Sequence, residues 1–235
     1  MNKPIAMRDA LLNNIHLKMD DDKRIFFVTA DFGSPVLDRI RADFPDRFVN
    51  VGIAEQNLIN ISSGLALEGY KVFAYAIAPF ITMRCFEQLR VNLALLSEVR
   101  DLNVNLIGVG AGYSYVVSGP THQCYEDISL IRSLPNFKFY SPSDQHLAGS
   151  FIDYCLDQSG PKYLRFDAQP LAALREKIDS KSWAKGFEKL RNGDDGCLLA
   201  TGYMTHTAMS VAETLSDKFN LTVIDLFNLS DFDRD

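Results

Sequence analysis

The feature of this sequence that most constrains its fold is a regular alternation of short apolar runs and helical patterns. Apolar runs typical of buried strands lie at residues 25–30, 48–51, 71–76, 103–110, 137–141 and 161–166. The runs repeat about every 25–30 residues, and strands joined by helices at that spacing need crossover connections, which make neighbouring strands parallel. The sequence therefore predicts an α/β fold, a mostly parallel sheet with helices on both faces.

The predicted sheet accounts for residues 1–168, and the rest of the chain has a different character. Residues 169–193 are more polar and irregular, which indicates a linker. Residues 194–235 contain one further strand–helix–strand pattern, from Cys197 to Leu226. One such unit cannot cover both faces of a sheet by itself. We therefore expect an incomplete second α/β unit, which packs on the first domain or on another chain, or is the truncated start of a longer domain.

Charge and composition argue against several classes of partner. The chain has a net charge of −6, and no basic run is longer than the pair Lys23-Arg24, which disfavours binding to nucleic acid or an anionic membrane. No apolar run reaches the roughly 18 residues that a membrane span needs, and the N-terminus lacks the apolar core of a secretion signal. The four cysteines are far apart, as expected of reduced thiols in a cytoplasmic protein.

Glu55 is the strongest candidate for a catalytic residue. It follows the apolar run 48–51 and Gly52, and it begins a helical pattern rich in small and apolar residues. The helix dipole favours a carboxylate in the first turn of any helix, so a purely structural role is the common explanation. Because so much of this helix is small or apolar, we expect it to be buried and its carboxylate to face a site or an interface.

Two loops at predicted strand ends carry further candidates. The glycine-rich segment 108–112 lacks the G-x-G-x-x-G spacing of a dinucleotide loop, and we interpret it as a mobile loop that lines a site. Tyr113 and Tyr115 on this loop either cover a ligand or pack inside the protein. His122, beside Gly119-Pro120 at the carboxyl end of the predicted sheet, is either a surface histidine or an acid/base or hydrogen-bonding group.

Several motifs, kept in order and spacing, resemble the pyrimidine-binding domain of the transketolase family and its deoxyxylulose-phosphate synthase relatives. They are Gly52-Ile53-Ala54-Glu55-Gln56, 62–69, Phe86-Glu87-Gln88-Leu89-Arg90, Gly119-Pro120-Thr121-His122-Gln123, Glu126-Asp127, Arg132-Ser133-Leu134-Pro135-Asn136 and Tyr140-Ser141-Pro142-Ser143-Asp144. The resemblance extends from about residue 4 to 168, and the segment 197–204 resembles the start of that family's C-terminal domain.

The resemblance implies binding of thiamin diphosphate between two domains. Glu55 matches the family's catalytic glutamate, which acts on the N1′ atom of the aminopyrimidine ring and favours the imino tautomer that generates the C2 ylid. His122 matches a histidine that faces the reacting carbons. The other expected cofactor contacts are Asp31, Phe80 as the ring-stacking aromatic, Ile77 where a second aromatic is expected, and Phe86.

The resemblance also implies a partner chain. In this family a G-D-G…N motif on a separate domain binds the diphosphate and its metal ion, and this sequence has no such motif. The segment Gly193-Asp194-Asp195-Gly196 precedes a predicted strand, and we interpret it as a turn. We therefore expect no metal ligands on this chain, Mg²⁺ ligands on a diphosphate-binding partner subunit, and a homodimer of this chain within a heterotetramer.

Departures from the family pattern bear on the substrate. Val109-Gly110 stands where the family has a histidine, Ser118 where it has an aspartate, and Ala168 where it has a phosphate-binding arginine. Each lost charge-assisted contact is worth about 1.5–3 kcal/mol, which favours an unphosphorylated or differently carried ketose, or a 2-oxo acid. The expected contacts with this small-molecule substrate are Ser34, Tyr113, Ser118, His122 and Arg165.

Three functions fit these observations. The leading one is a subunit of a split transketolase-like enzyme that transfers a two-carbon ketol unit. The second is a deoxyxylulose-phosphate-synthase-like or 2-oxo acid dehydrogenase-like subunit that releases CO₂. The third is a non-catalytic subunit that shapes a partner's interface, and the presence of Glu55 argues against it because such a subunit has no need of a buried carboxylate.

Overall fold

The computed structural model describes residues 4–233, which form two α/β units. The helices and strands of the first unit are α1 (Met7–Asp21), β1 (Ile25–Thr29), α2 (Pro35–Asp43), β2 (Phe48–Asn50), α3 (Glu55–Leu67), β3 (Lys71–Ile77), α4 (Phe86–Gln88), β4 (Asn103–Val109), α5 (Asp127–Arg132), β5 (Lys138–Tyr140), α6 (Gln145–Asp157) and β6 (Gly160–Phe166). Those of the second unit are α7 (Ser180–Lys185), β7 (Phe187–Arg191), β8 (Gly196–Ala200), α8 (Tyr203–Thr214) and β9 (Leu221–Leu226). The outer limits of the predicted domains, residues 1 and 235, lie outside the described residues.

The first unit is built on a six-stranded sheet in the order β2-β1-β3-β4-β6-β5, and every neighbouring pair is parallel. All five residues of β1 are buried, as expected for a strand covered on both faces. The sequence-based prediction of a mostly parallel sheet is confirmed.

Helices cover both faces of this sheet. On one face, α1, α2 and α6 enclose a core that includes Phe27, Phe73 and Phe151. On the other face, α3 and the helical segment 80–98 enclose a second core that includes Leu58 and Leu93. The sequence predicts one regular helix from Pro79 to Ser97. The observed segment has π-helical turns at Phe80–Arg84 and Leu89–Leu95, before and after α4. Because a π-helical turn holds more residues than an α-helical turn, the buried side chains do not follow the regular α-helical spacing.

The second unit has a three-stranded sheet in the order β7-β9-β8, in which β7 is antiparallel to β9. Helix α7 and strand β7 lie within residues 169–193, the segment predicted as a linker, so part of that segment belongs to the second sheet. Backbone hydrogen bonds attach the second unit to the end of β5, since Ser141 N–H donates to Phe227 O (2.8 Å) and Leu229 N–H donates to Phe139 O (2.7 Å).

The carboxyl ends of β1, β3, β4 and β6 lie along one edge of the sheet, where open α/β proteins place their sites. From this edge, β3 leads into Phe80, β4 leads into the loop 110–124, and β6 ends beside Arg165. None of the helices within residues 4–233 has the length and apolar character needed to span a membrane.

Candidate active site

The side chain of Glu55 is buried at the first turn of α3. Gly52, whose φ is +74°, turns the chain from β2 toward this helix, and the Glu55 side chain is only 3% exposed. Its Oε2 atom accepts a hydrogen bond of 2.6 Å from Nη1 of Arg84. The burial agrees with the sequence analysis, whereas the arginine partner was not predicted.

Arg84 connects Glu55 to an aromatic pair. The guanidinium carbon of Arg84 lies 4.3 Å from the centre of the Phe80 ring, a cation–π contact. On another side, the Phe80 ring meets the His122 ring edge-on, with 5.4 Å between ring centres. Nδ1 of His122 is 3.0 Å from the hydroxyl of Thr121. The structure thus brings together Glu55, Phe80 and His122, three of the residues singled out from the sequence.

Tyr115 closes one side of this cluster. Its ring lies 6.3 Å from that of His122 and presses against Gly110, where φ is +99° and any Cβ atom would overlap the tyrosine ring. A larger side chain is therefore excluded at position 110. The ring of Tyr115 fills the space that a histidine side chain at position 110 would need.

The geometry around Glu55 fits an aminopyrimidine ring. Such a ring needs an aromatic face to stack on and a carboxyl group at one ring nitrogen. Glu55 can supply the carboxyl group, and Phe80 can supply the ring face that Arg84 does not cover. Arg84 uses Oε2 of Glu55, and within residues 4–233 no hydrogen bond uses Oε1. That oxygen is available to exchange a proton with a bound ring.

Three other predicted contacts lie outside this cluster. Ile77 is the half-buried last residue of β3. Asp31 is exposed, has a φ of +47°, and its N–H donates to Oδ1 of Asn50 (3.0 Å). Phe86 is partly buried against the core beneath α3, which is a packing position, and its contact with the cofactor stays a prediction.

Two predicted substrate contacts also have other surroundings. Ser34 is the N-cap of α2, and its Oγ accepts a 3.4 Å hydrogen bond from Leu37 N–H. This capping bond gives Ser34 a structural role, and its contact with a substrate stays a prediction. Ser118 is exposed on the loop 110–124 and does not line the cleft described next.

A cleft of about 480 Å³ lies between the two units. Its walls include Tyr113, Ser141, Arg165, Asp167, Gly202 and Tyr203. Nε of Arg165 donates to Oδ2 of Asp127 (2.9 Å), and the hydroxyl of Tyr163 donates to the same oxygen (3.0 Å). Burial raises the pKa of the Asp127 carboxyl, although Arg165 opposes this effect. Arg165 and Tyr113, both predicted substrate contacts, therefore share one cleft.

The sequence analysis missed Arg84, Tyr115 as part of the His122 cluster, and the role of Asp127. Arg84 follows Phe80 by four residues, a spacing that places side chains on one face of a helix, so the cation–π contact had a detectable signal. Asp127 lies in a motif that carries the family resemblance. Among residues 4–233, no three His, Cys, Asp or Glu side chains cluster as a metal site would require.

Comparison with protein families gives two matches. The pyrimidine-binding domain of transketolase matches residues 3–172, and the C-terminal domain of transketolase matches residues 186–235. An apulose-4-phosphate transketolase subunit of Actinobacillus succinogenes is 33% identical over 186 residues, 78% of this chain and 58% of the relative. A 6-deoxy-6-sulfo-D-fructose transketolase subunit of Clostridium sp. (strain MSTE9) is 28% identical, and the match covers 100% of this chain and 74% of the relative.

Solved structures agree with these matches. A split-gene transketolase, described as an inactive β4 tetramer, superposes with a TM-score of 0.81 at 28% identity and covers 95% of this chain and 71% of its own. Transketolase from Campylobacter jejuni gives a TM-score of 0.85 over 96% of this chain and 36% of its own, and at 21% identity this likeness concerns the fold. From the family match, which covers most of its length, the chain is a member of the transketolase family.

Proposed function

We propose that this chain is the pyrimidine-binding subunit of a two-chain, thiamin diphosphate-dependent transketolase that transfers a two-carbon ketol unit. The observation that carries this proposal is the cluster at the carboxyl edge of the parallel sheet, where the buried Glu55 lies near Phe80 and His122. A buried carboxylate with one oxygen available, beside an aromatic ring, is what proton exchange with an aminopyrimidine requires.

The relatives support a second chain. Two of them are named as transketolase subunits, and a third is a split-gene transketolase. The diphosphate and Mg²⁺ would be bound by the partner subunit, and two copies of each chain would form a heterotetramer. This assembly would cover the open side of the Glu55 cluster and exclude water from it.

In this arrangement, each residue of the cluster has one task. Phe80 offers its ring for stacking, and Glu55 exchanges a proton with the ring nitrogen that reaches Oε1. His122 holds or transfers a proton at an oxygen of the substrate, since a histidine can both donate and accept near neutral pH. Arg84 keeps the Glu55 carboxylate oriented through its 2.6 Å hydrogen bond. Bound thiamin diphosphate supplies the carbon nucleophile that carries the ketol unit.

A decarboxylating synthase is the second candidate. A 1-deoxy-D-xylulose-5-phosphate synthase of Parasynechococcus marenigrum is 30% identical over 92% of this chain, and Arg165 lies where such relatives also have an arginine. Release of CO₂ from pyruvate by the reconstituted enzyme would favour this function, whereas transfer of a ketol unit without CO₂ release favours transketolase.

Glu55→Gln tests the proposal, with Glu68→Gln as the matched control because Glu68 is exposed at the end of the same helix. The partner is first identified by co-purification, and the rate of ketol transfer is then measured with both chains. We expect transfer to need both chains, and Glu55→Gln to lower kcat by about 10²–10⁴-fold, the usual contribution of a proton-transfer group. Wild-type kcat in Glu55→Gln would show that the chain is a non-catalytic subunit.

A further inference from the structure

Ser141 carries a buried hydroxyl group without a partner. The residue is fully buried, it lines the cleft between the two units, and within residues 4–233 its Oγ makes no hydrogen bond. Its backbone is fixed, because its N–H donates to Phe227 O (2.8 Å) and its carbonyl accepts from the hydroxyl of Thr201 (3.3 Å). Buried hydroxyls nearly always have a hydrogen-bond partner. The unpaired hydroxyl of Ser141 therefore indicates that a bound group supplies its partner.

The first turn of α8 adjoins the same space. α8 has 12 residues, and its N-cap, Gly202, has a φ of +56° and provides no side-chain cap. A Cβ atom at position 202 would lie 3.1 Å from Ser141 Oγ and 3.9 Å from Nη1 of Arg165. Glycine therefore allows the uncapped helix start to approach the hydroxyl closely, with the guanidinium of Arg165 beside them. The N–H groups and dipole of a helix start favour an anion.

Arg165 faces this space with the outer part of its guanidinium. Asp127 anchors Nε from behind (2.9 Å), and Nη2 lies 3.8 Å from where a Cβ atom of Gly112 would be. Within the described residues, neither Nη1 nor Nη2 donates a hydrogen bond to another side chain or to the backbone. An anchored guanidinium with two available terminal nitrogens matches the oxygens of a phosphate or sulfonate group.

The charges around the cleft indicate how tightly such a group is bound. Asp127 and Asp167 offset the charge of Arg165. Asp167 turns toward its own loop, where its Oδ1 accepts a hydrogen bond from Gln169 N–H (2.8 Å). Recognition then depends on directed hydrogen bonds more than on net charge, and we expect moderate affinity.

We propose that this cleft binds an oxyanion of the phosphate or sulfonate type, held jointly by Arg165, the hydroxyl of Ser141 and the first turn of α8. The group is either the far end of a substrate or a free regulatory anion. The first case rests on the proposed function, and the contacts made here would then take the place of the family's phosphate-binding arginine, which is Ala168 in this chain. The loop that carries Tyr113 into the cleft also carries Tyr115, whose ring is 6.3 Å from that of His122. An oxyanion bound here thus contacts the loop beside the catalytic cluster.

Calorimetric titration of the full chain with inorganic phosphate tests the site. Ser141→Ala and Arg165→Lys are each expected to weaken binding about tenfold, since each removes hydrogen bonds to a charged group. Ser129→Ala is the matched control, because Ser129 is exposed on α5 outside the cleft, and it should bind as the wild type does. Without phosphate, the Tm of Ser141→Ala should be no lower than that of the wild type, because the substitution removes a buried hydroxyl that has no partner. Absence of phosphate binding, or equal binding by Ser141→Ala and wild type, would overturn the proposal.

Kinetics with both chains distinguish the two sources of the oxyanion. A rise in KM in Ser141→Ala for a ketose phosphate, with no change for the same ketose without phosphate, assigns the site to the substrate. A change in rate on adding inorganic phosphate that is equal for both ketoses, and is lost in Ser141→Ala, assigns it to a regulatory anion. The titration needs no ketol transfer, so failure of the proposed function would leave its result intact.

Discussion

At the scale of single residues, Arg84 contacts the two side chains on which the proposed chemistry depends. Its Nη1 is hydrogen-bonded to Glu55, and its guanidinium lies over the Phe80 ring. The Glu55 side chain is 3% exposed while that of Arg84 is 43% exposed. The pair thus joins a buried carboxylate to a half-exposed cation, and solvent screens the interaction mainly at Arg84.

Replacing Arg84 by methionine should lower the free energy of unfolding of the chain by about 1 kcal/mol, because solvent screening of the exposed partner limits what the pair contributes. Urea unfolding of Arg84→Met, Glu55→Gln and the double variant measures this directly. If the two side chains act as a pair, the double variant should lose less than the sum of the single losses. A fully additive loss would show that Arg84 and Glu55 are energetically independent.

Whether a residue's role was predictable depended on how local its signal was. Glu55 could be found because its helix start, its preceding glycine and its small apolar neighbours are adjacent in the sequence. The Glu55–Arg84 pair joins residues 29 positions apart, and it forms only when α3 packs against the segment 80–98. The unpaired hydroxyl of Ser141 is likewise invisible in the sequence, since it results from the packing of the second unit.

At the scale of elements, the strands of the first sheet have local sequence signals, whereas a strand of the second sheet depends on pairing with a distant segment. Strands covered on both faces are apolar throughout, so β1 could be recognised without knowing its neighbours. β7 reads Phe-Glu-Lys-Leu-Arg and is at most half-buried, and it is a strand because β9 pairs with it in the antiparallel direction. No local pattern encodes that pairing, so the sequence alone predicts a linker for residues 169–193 and no strand.

Strand β6 contains a lysine that is fully buried. Nζ of Lys162 donates to Oδ1 of Asn103 (3.2 Å) and to the carbonyl of Gly160 (3.1 Å), with no carboxylate among these partners. Burial lowers the pKa of Lys162 to about 8. The folded chain therefore releases this proton more readily than the unfolded chain, whose lysine keeps its ordinary pKa near 10.5.

Lys162→Met should raise the free energy of unfolding at pH 7 by about 1–3 kcal/mol, because the cost of burying the charge applies in full below pH 8. In the wild type that cost is relieved as the pH rises from about 8 to 10.5, so the gain from the substitution should shrink over this range. Chemical denaturation at several pH values measures the difference. A gain that stays constant up to about pH 10.5 would show that Lys162 does not titrate there.

At the scale of the whole molecule, a buried arginine, Arg175, bonds to both units. Arg175 is 3% exposed, and its guanidinium lies 3.6 Å from Asp144 of the first unit. It also lies 3.0 Å from Glu188 on β7 and 2.5 Å from Asp225 on β9. These contacts extend to one wall of the cleft, because Asp225 also accepts a hydrogen bond of 2.9 Å from the hydroxyl of Thr205, in the first turn of α8.

Arg175→Met should destabilise the chain by about 3–5 kcal/mol, because it leaves three acidic side chains, two of them fully buried, without their cation. The loss should fall on the contact between the units, so limited proteolysis should cut the segment 169–179 faster than in the wild type. Arg90→Met is the matched control, since Arg90 is exposed on the helical segment 80–98, and it should unfold and be cut as the wild type is. If Arg175→Met behaves like Arg90→Met, the other bonds between the units are sufficient to join them, and the buried arginine is dispensable. These include the backbone bonds between β5 and residues 227–229 and the hydrogen bond that Arg132 donates to Leu229 O.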